Sequence, residues 1–130
     1  MPKPLFWMGS SKRDLKKFPR PVQRVCGFAL RHAQKRGKHP DAKPLKGFGG
    51  AGVLEIAEDF EGNSYRAVYT VSFSRAVYVL HAFQKKSNRG IKIPNQEIEL
   101  IEKRLKMAEE HYEEWSRAKE SEGKKTHSQS

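Results

Sequence analysis

The sequence predicts an α+β domain, with an N-terminal helical hairpin packed on a small antiparallel β-sheet and followed by a C-terminal helix. Two early segments have helical spacing punctuated by proline and glycine. Three strand-like runs then follow one another across short turns, and a single apolar stripe at spacings of three and four runs from Ile98 to Trp115.

Pro4-Leu-Phe-Trp-Met8 is a short apolar run suited to an edge strand. Gly9-Ser-Ser11 offers capping hydroxyls, with Asp14 three residues after Ser11, so a first helix is expected to run to about Phe18 before Pro19 stops it. Arg20-Pro21 opens a longer helix with proline in its first turn. Val22, Val25, Cys26, Ala29 and Ala33 form its apolar face, Arg20, Arg24, Arg31 and Lys35 lie mostly off that face, and Lys35-Arg36-Gly37 closes it.

Residues 37–52 are rich in glycine and proline and read as a long loop. The strand-like runs are Gly52–Phe60, Ser64–Phe73 and Arg75–Phe83, with Glu61-Gly-Asn63 and Ser74 as tight turns, which makes an antiparallel meander. In the middle run Tyr65, Ala67, Tyr69 and Val71 share one face, and Arg66, Val68, Thr70 and Ser72 the other. The third run is apolar without alternation, as a strand covered on both faces should be. Lys85–Ile93 is a second basic loop, and Pro94 starts the closing helix, whose stripe is Ile98, Ile101, Leu105, Ala108, Tyr112 and Trp115. A single domain is expected over residues 1–116, with a disordered polar tail over 117–130, where bulky apolar residues run out.

A chain of 130 residues builds one core. Its net charge of +11 exceeds what solubility needs, so a nucleic acid, an anionic membrane or an acidic protein is the expected partner. Residues 1–50 carry 13 Lys and Arg against 2 acids, and residues 74–94 carry 5 against none. If those regions adjoin they make one positive face; the alternative is charge that merely keeps the surface solvated. Cys26 is the only cysteine, which excludes an internal disulfide, and its apolar neighbours mark a buried thiol rather than a nucleophile. Without a membrane-length apolar run or an apolar signal core, the expectation is a cytoplasmic protein.

Several chemistries lack their residues. No Cys/His cluster has zinc spacing, the glycine-rich Gly47–Gly52 stretch precedes a strand rather than a helix, and acids are sparse before the last helix. A basic-aromatic group remains. If the meander pairs as drawn, Arg66 is carried to residues around 82–84, beside His81, Phe83, Lys85 and Lys86. Arginine and lysine there can hold a phosphate and stabilise charge on it, Phe83 can stack on an unpaired base, and His81 or a lysine can move protons. The plainer alternatives are a packed histidine, a core phenylalanine and two solubilising lysines.

The runs Leu5-Phe-Trp-Met-Gly-Ser-Ser-Lys-Arg-Asp-Leu15, Ala42-Lys-Pro-Leu-Lys-Gly-Phe48, Tyr65-Arg-Ala-Val-Tyr69, Tyr78-Val-Leu-His-Ala-Phe-Gln-Lys-Lys-Ser87 and Ile93-Pro-Asn-Gln-Glu-Ile98 resemble phage-derived Gp49-like proteins, HigB-type toxins of the RelE/ParE superfamily. The resemblance covers about residues 4 to 107. It implies a helical hairpin on an antiparallel sheet and the toxin half of a toxin–antitoxin pair. Such toxins cut mRNA on the ribosome, without metal or cofactor, by driving a 2′-hydroxyl onto the adjacent phosphate. Carried over, Arg66 would clamp the scissile phosphate, while His81, Lys85 or Lys86 would act in acid–base or electrostatic roles. Phe83, Arg89, Lys46, Arg24 and Arg31 would hold RNA. The implied partners are mRNA, the ribosome and a cognate antitoxin, expected to be a helix-turn-helix protein encoded next door. ParE-type relatives share the fold but inhibit DNA gyrase, and a non-toxic RNA-binding protein is the third alternative.

Overall fold

The computed structural model describes residues 2–48, 50–85 and 93–128, with the side chains of the closing helix described to residue 122. Among these residues the elements run β1 (Leu5–Trp7), α1 (Ser11–Leu15), α2 (Arg20–Gln34), β2 (Ala42–Pro44), β3 (Val53–Phe60), β4 (Asn63–Thr70), β5 (Val77–Lys85) and α3 (Asn95–Ser128). The five strands form one sheet in the order β1-β5-β4-β3-β2. All neighbouring pairs are antiparallel except β1 and β5, which pair in parallel with Leu5 opposite Val77. The sheet is therefore mixed rather than antiparallel, because the chain crosses from β1 through two helices and three strands before returning alongside it.

The expected helical hairpin is only partly present. α1 is a five-residue turn lying on β5, while α2 spans the sheet face and buries Val22, Cys26, Ala29, Leu30 and Ala33 at spacings of three and four. Gln23 ties the two helices together by donating from Nε2 to the carbonyls of Phe18 (2.7 Å) and Lys16 (3.0 Å). At the far end of α2 the left-handed position falls on Arg36 (φ 66°) rather than on Gly37, whose N–H closes the helix on the His32 carbonyl.

Strand faces follow the predicted alternation on β4. Tyr65, Ala67 and Tyr69 pack with α2, whereas Val68 packs with Ile101 and Ala108 of α3 on the opposite face. β5 lies between β1 and β4, and its residues 77–80 are fully covered on both faces. β3 and β4 are joined by Glu61 (φ 49°) and Gly62 (φ 81°), the doubly positive turn that matches strand twist. Several boundaries differ from the sequence reading, the middle strand ending at Thr70 rather than Phe73 and the first helix at Leu15 rather than Phe18. Residues 42–44, expected in a loop, form the edge strand β2, and the third strand of the meander is shifted two residues later.

α3 also continues beyond Ser116, where a disordered tail was expected, as far as Ser128. Arg, Ala, Lys and Glu are good helix formers, and Arg117–Glu113 and Lys119–Glu122 pair along the exposed side. Trp115 is the last residue of the stripe that packs toward the sheet. No helix of the described residues is long and apolar enough to cross a membrane.

Burial, and then the charge of Glu58, pushes the Cys26 thiol from an ordinary 9.0 up to about 12. At pH 8 this cuts the reactive thiolate by about a thousandfold. Iodoacetamide labelling of the native protein, followed by mass spectrometry, is expected to be slower than in guanidinium by at least that factor. Equal rates would contradict the burial of α2's inner face.

Candidate active site

The site grows from the β4–β5 ladder. Arg66 sits directly opposite Phe83, as the strand pairing predicted, with Val68 opposite His81 and Ser64 opposite Lys85. The register then shifts between Val68 and Tyr69, so Tyr69 faces Val79 and one residue of β5 is extra. This β-bulge turns Leu80 and His81 to the same side of the sheet. From there Arg66, His81, Phe83 and Lys85 share the face that carries α3. Diagonal partners on such a ladder lie about 7–8 Å apart, within reach of long side chains.

Each member is held. The His81 ring, 6% exposed, stacks on Phe83 with centroids 4.8 Å apart. Its Nε2 meets the Glu97 carboxylate in the first turn of α3, and its Nδ1 lies 3.1 Å from Nη1 of Arg104. Arg66 donates from Nη1 to the Ser64 hydroxyl (2.8 Å), and its Nε lies 3.9 Å from the Glu55 carboxylate. Lys85 is buried at the end of β5. His81, Phe83 and Glu97 line an open cleft of about 340 Å³ together with Asp14, Lys17, Phe18 and Tyr65. That cleft lies between α1 and the start of α3, across the stretch of β5 beyond its pairing with β1.

The remaining predicted residues are placed elsewhere. Arg24 and Arg31 are exposed on the outer side of α2, on the far side of the sheet, with the 54%-exposed Phe28 between them at helical spacing. Lys46 is exposed beyond the Val53–Thr70 end of the sheet, opposite the Ser64–Lys85 end. Lys86 and Arg89 lie outside the described residues. Of the N-terminal cations, Lys17, just after α1, reaches the cleft beside β5, whereas Arg24, Arg31 and Lys46 lie apart from it. The site is not free of carboxylates, because folding brings Glu97 onto His81 and Asp14 into the same cleft.

Arg104 is the member that the sequence did not disclose. It falls on the buried stripe of α3, three residues after Ile101 and four before Ala108, and is only 8% exposed. Nη1 donates to the Leu80 carbonyl (3.0 Å) at the bulge, and Nη2 donates to the Ser10 hydroxyl (3.1 Å). Ser10 in turn donates to Asp14 (2.6 Å), so the hydroxyl at the head of α1 serves this network instead of capping a backbone N–H. Burial pushes the guanidinium below its ordinary value, and the charges of Asp14 and Glu97 pull it back up. A cation inside an apolar stripe was the available signal. Nothing local could have tied Glu97 to His81, which precedes it by 16 residues. Among the described residues no group of three or more His, Cys, Asp or Glu side chains is placed to hold a metal ion.

The sequence matches the family described as phage-derived protein Gp49-like over residues 13–106. No curated protein matches it. Among solved structures, a chain of the toxin–antitoxin complex RelBE2 from Mycobacterium tuberculosis is similar, at 24% identity and a TM-score of 0.44, covering 65% of this chain and 100% of that one.

The Arg104 guanidinium occupies the space a side chain at Gly9 would need: φ there is 52°, and an added Cβ would stand 2.8 Å from both Nε and Nη2. Gly9→Ala is therefore expected to lose about 1–3 kcal/mol of stability from backbone strain and displaced guanidinium. Urea denaturation should show a lower midpoint at unchanged slope; an unmoved midpoint would mean that Arg104 is not seated there.

Proposed function

The chain belongs to the family of phage-derived Gp49-like proteins, and from that premise we propose that it is the toxin half of a type II toxin–antitoxin pair, an endoribonuclease that cuts messenger RNA on the ribosome. The observation that carries the proposal is the gathering of Arg66, His81, Phe83 and Lys85 on one sheet face beside an open cleft. RNA cleavage by its own 2′-hydroxyl needs a proton acceptor, a proton donor and cations around the phosphorane. Arg66 and Lys85 supply cations, the His81–Glu97 pair handles a proton, and Phe83 offers a ring for a splayed base.

In this reading Arg66 clamps the scissile phosphate, with Lys86 in an acid–base or electrostatic role and Arg89 in RNA binding as the family resemblance implies. Arg24 and Arg31, with Phe28 between them, stand too far round the fold to touch the same nucleotides. They bind RNA backbone at a second place, on the ribosome or along the message, and Lys46 does the same at the opposite end of the sheet. The substrate places the protein in the cytoplasm. The partner is an antitoxin whose acidic side chains cover the basic surface, and the pairing should weaken with salt.

Primer extension on a translated message tests the activity. Wild-type protein should leave codon-phased breaks, and Arg66→Ala, shown to be folded by its thermal melt, should cut about a hundredfold more slowly or worse. Growth arrest with intact messages and damaged DNA would overturn the proposal in favour of a gyrase-binding toxin.

A further inference from the structure

We infer that Glu97 is the proton acceptor of the cleft, and that Arg104 is the positioning residue that gives it this role by holding His81 as a hydrogen-bond donor. The inference deepens the nuclease reading and rests on it.

The direction of every hydrogen bond in the network can be derived. A guanidinium has only N–H groups and no lone pair to offer. Nη1 of Arg104 lies 3.1 Å from Nδ1 of His81, so Nδ1 must present its lone pair. The single ring hydrogen then sits on Nε2, and Nε2 is the atom that faces Oε2 of Glu97. On the other side Nη2 donates to Ser10, and the Ser10 hydroxyl passes its own hydrogen to Asp14. Donation therefore runs outward from Arg104 along both arms, and each arm ends on a carboxylate.

This polarity decides which group can take a proton. A second hydrogen on His81 would have to go on Nδ1, where it would meet the N–H of Arg104 head-on. With Arg104 in place the imidazole cannot serve as the base. Glu97 can, because a carboxylate holding one donated hydrogen bond keeps further acceptor capacity. Access points the same way: the Glu97 side chain is 30% exposed and the His81 side chain 7%. Both line the cleft where RNA would lie.

The reaction then balances without an outside reagent. The proton of the attacking 2′-hydroxyl passes to Glu97 as the 2′-oxygen–phosphorus bond forms. The bond from phosphorus to the 5′-oxygen breaks, and that oxygen takes a proton from Lys85 or water. A 2′,3′-cyclic phosphate and a 5′-hydroxyl remain. Throughout, His81 aims and steadies the carboxylate by its Nε2–H.

Two measurements separate this inference from the reading beneath it. Long-range nitrogen–proton NMR at pH 8, with the His81 signals assigned by their loss in His81→Gln, should show a hydrogen on Nε2 and a bare Nδ1. In Arg104→Met the preference should collapse toward a mixture of the two tautomers. A wild-type ring with its hydrogen on Nδ1 would overturn the inference even if Arg104→Met does not fold. Glu97→Gln still accepts from His81 but cannot take a proton, so it should keep the wild-type tautomer and lose cleavage by about a hundredfold to ten-thousandfold. Cleavage at the wild-type rate by Glu97→Gln would overturn the inference and leave the nuclease reading standing. No cleavage by the wild-type protein on any translated message would overturn that reading and the role of Glu97 with it, while the ring tautomer would still report on Arg104.

Discussion

A guanidinium buried between a sheet and two helices must have its hydrogens met. Moving such a cation out of water costs on the order of several kcal/mol, and only good hydrogen-bond geometry returns it. Arg104 meets that constraint with three acceptors drawn from two elements: Leu80 and its neighbour His81 on β5, and Ser10 at the head of α1. The outcome fixes more than one side chain. It pins α3 against the bulged strand and commits the short helix α1 to a position beside β5. It also leaves room at Gly9 for no side chain at all. A network of this kind in a low-dielectric interior is stiff, because losing one member strands the others.

The same sheet separates two kinds of surface. One face and the neighbouring end of β5 hold the cleft, beside which Arg66 lies near the Glu55 carboxylate and Lys85 is buried. Across the sheet, the outer side of α2 presents Arg24, Phe28 and Arg31 to solvent. Chemistry suits the first arrangement, since paired groups have defined protonation and orientation. Docking suits the second, since exposed cations attract phosphate at long range while costing little to desolvate.

How much could be read without coordinates depended on how far each feature lies along the chain from its cause. The alternation on β4 and the pairing of Arg66 with Phe83 follow from local rules, as do the two-sided burial of β5 and the stripe on α3. The parallel pairing of β1 with β5 joins residues more than 70 positions apart and leaves no periodic trace. β2 is three residues long and ends on a proline, below the length at which a strand declares itself. The pairing of His81 with Glu97 required the register of α3 against the sheet, which no local pattern encodes. Arg104 alone had a legible sign, a cation on an apolar stripe, and it was passed over because the stripe read as core without it.

The bulge at Leu80 and His81 divides the alternation of its strand in two. Ahead of it the even-numbered residues 78 and 80 look toward α3; after it the odd-numbered 81, 83 and 85 do. One strand therefore carries two reading phases, the first indexed to the packing of the core and the second to the cleft. Loss of the extra residue would turn one half over and leave the other in place. Substitution at Lys85 therefore alters the cleft phase of the strand, whereas His81 belongs to both, through Arg104 on one side and Glu97 on the other.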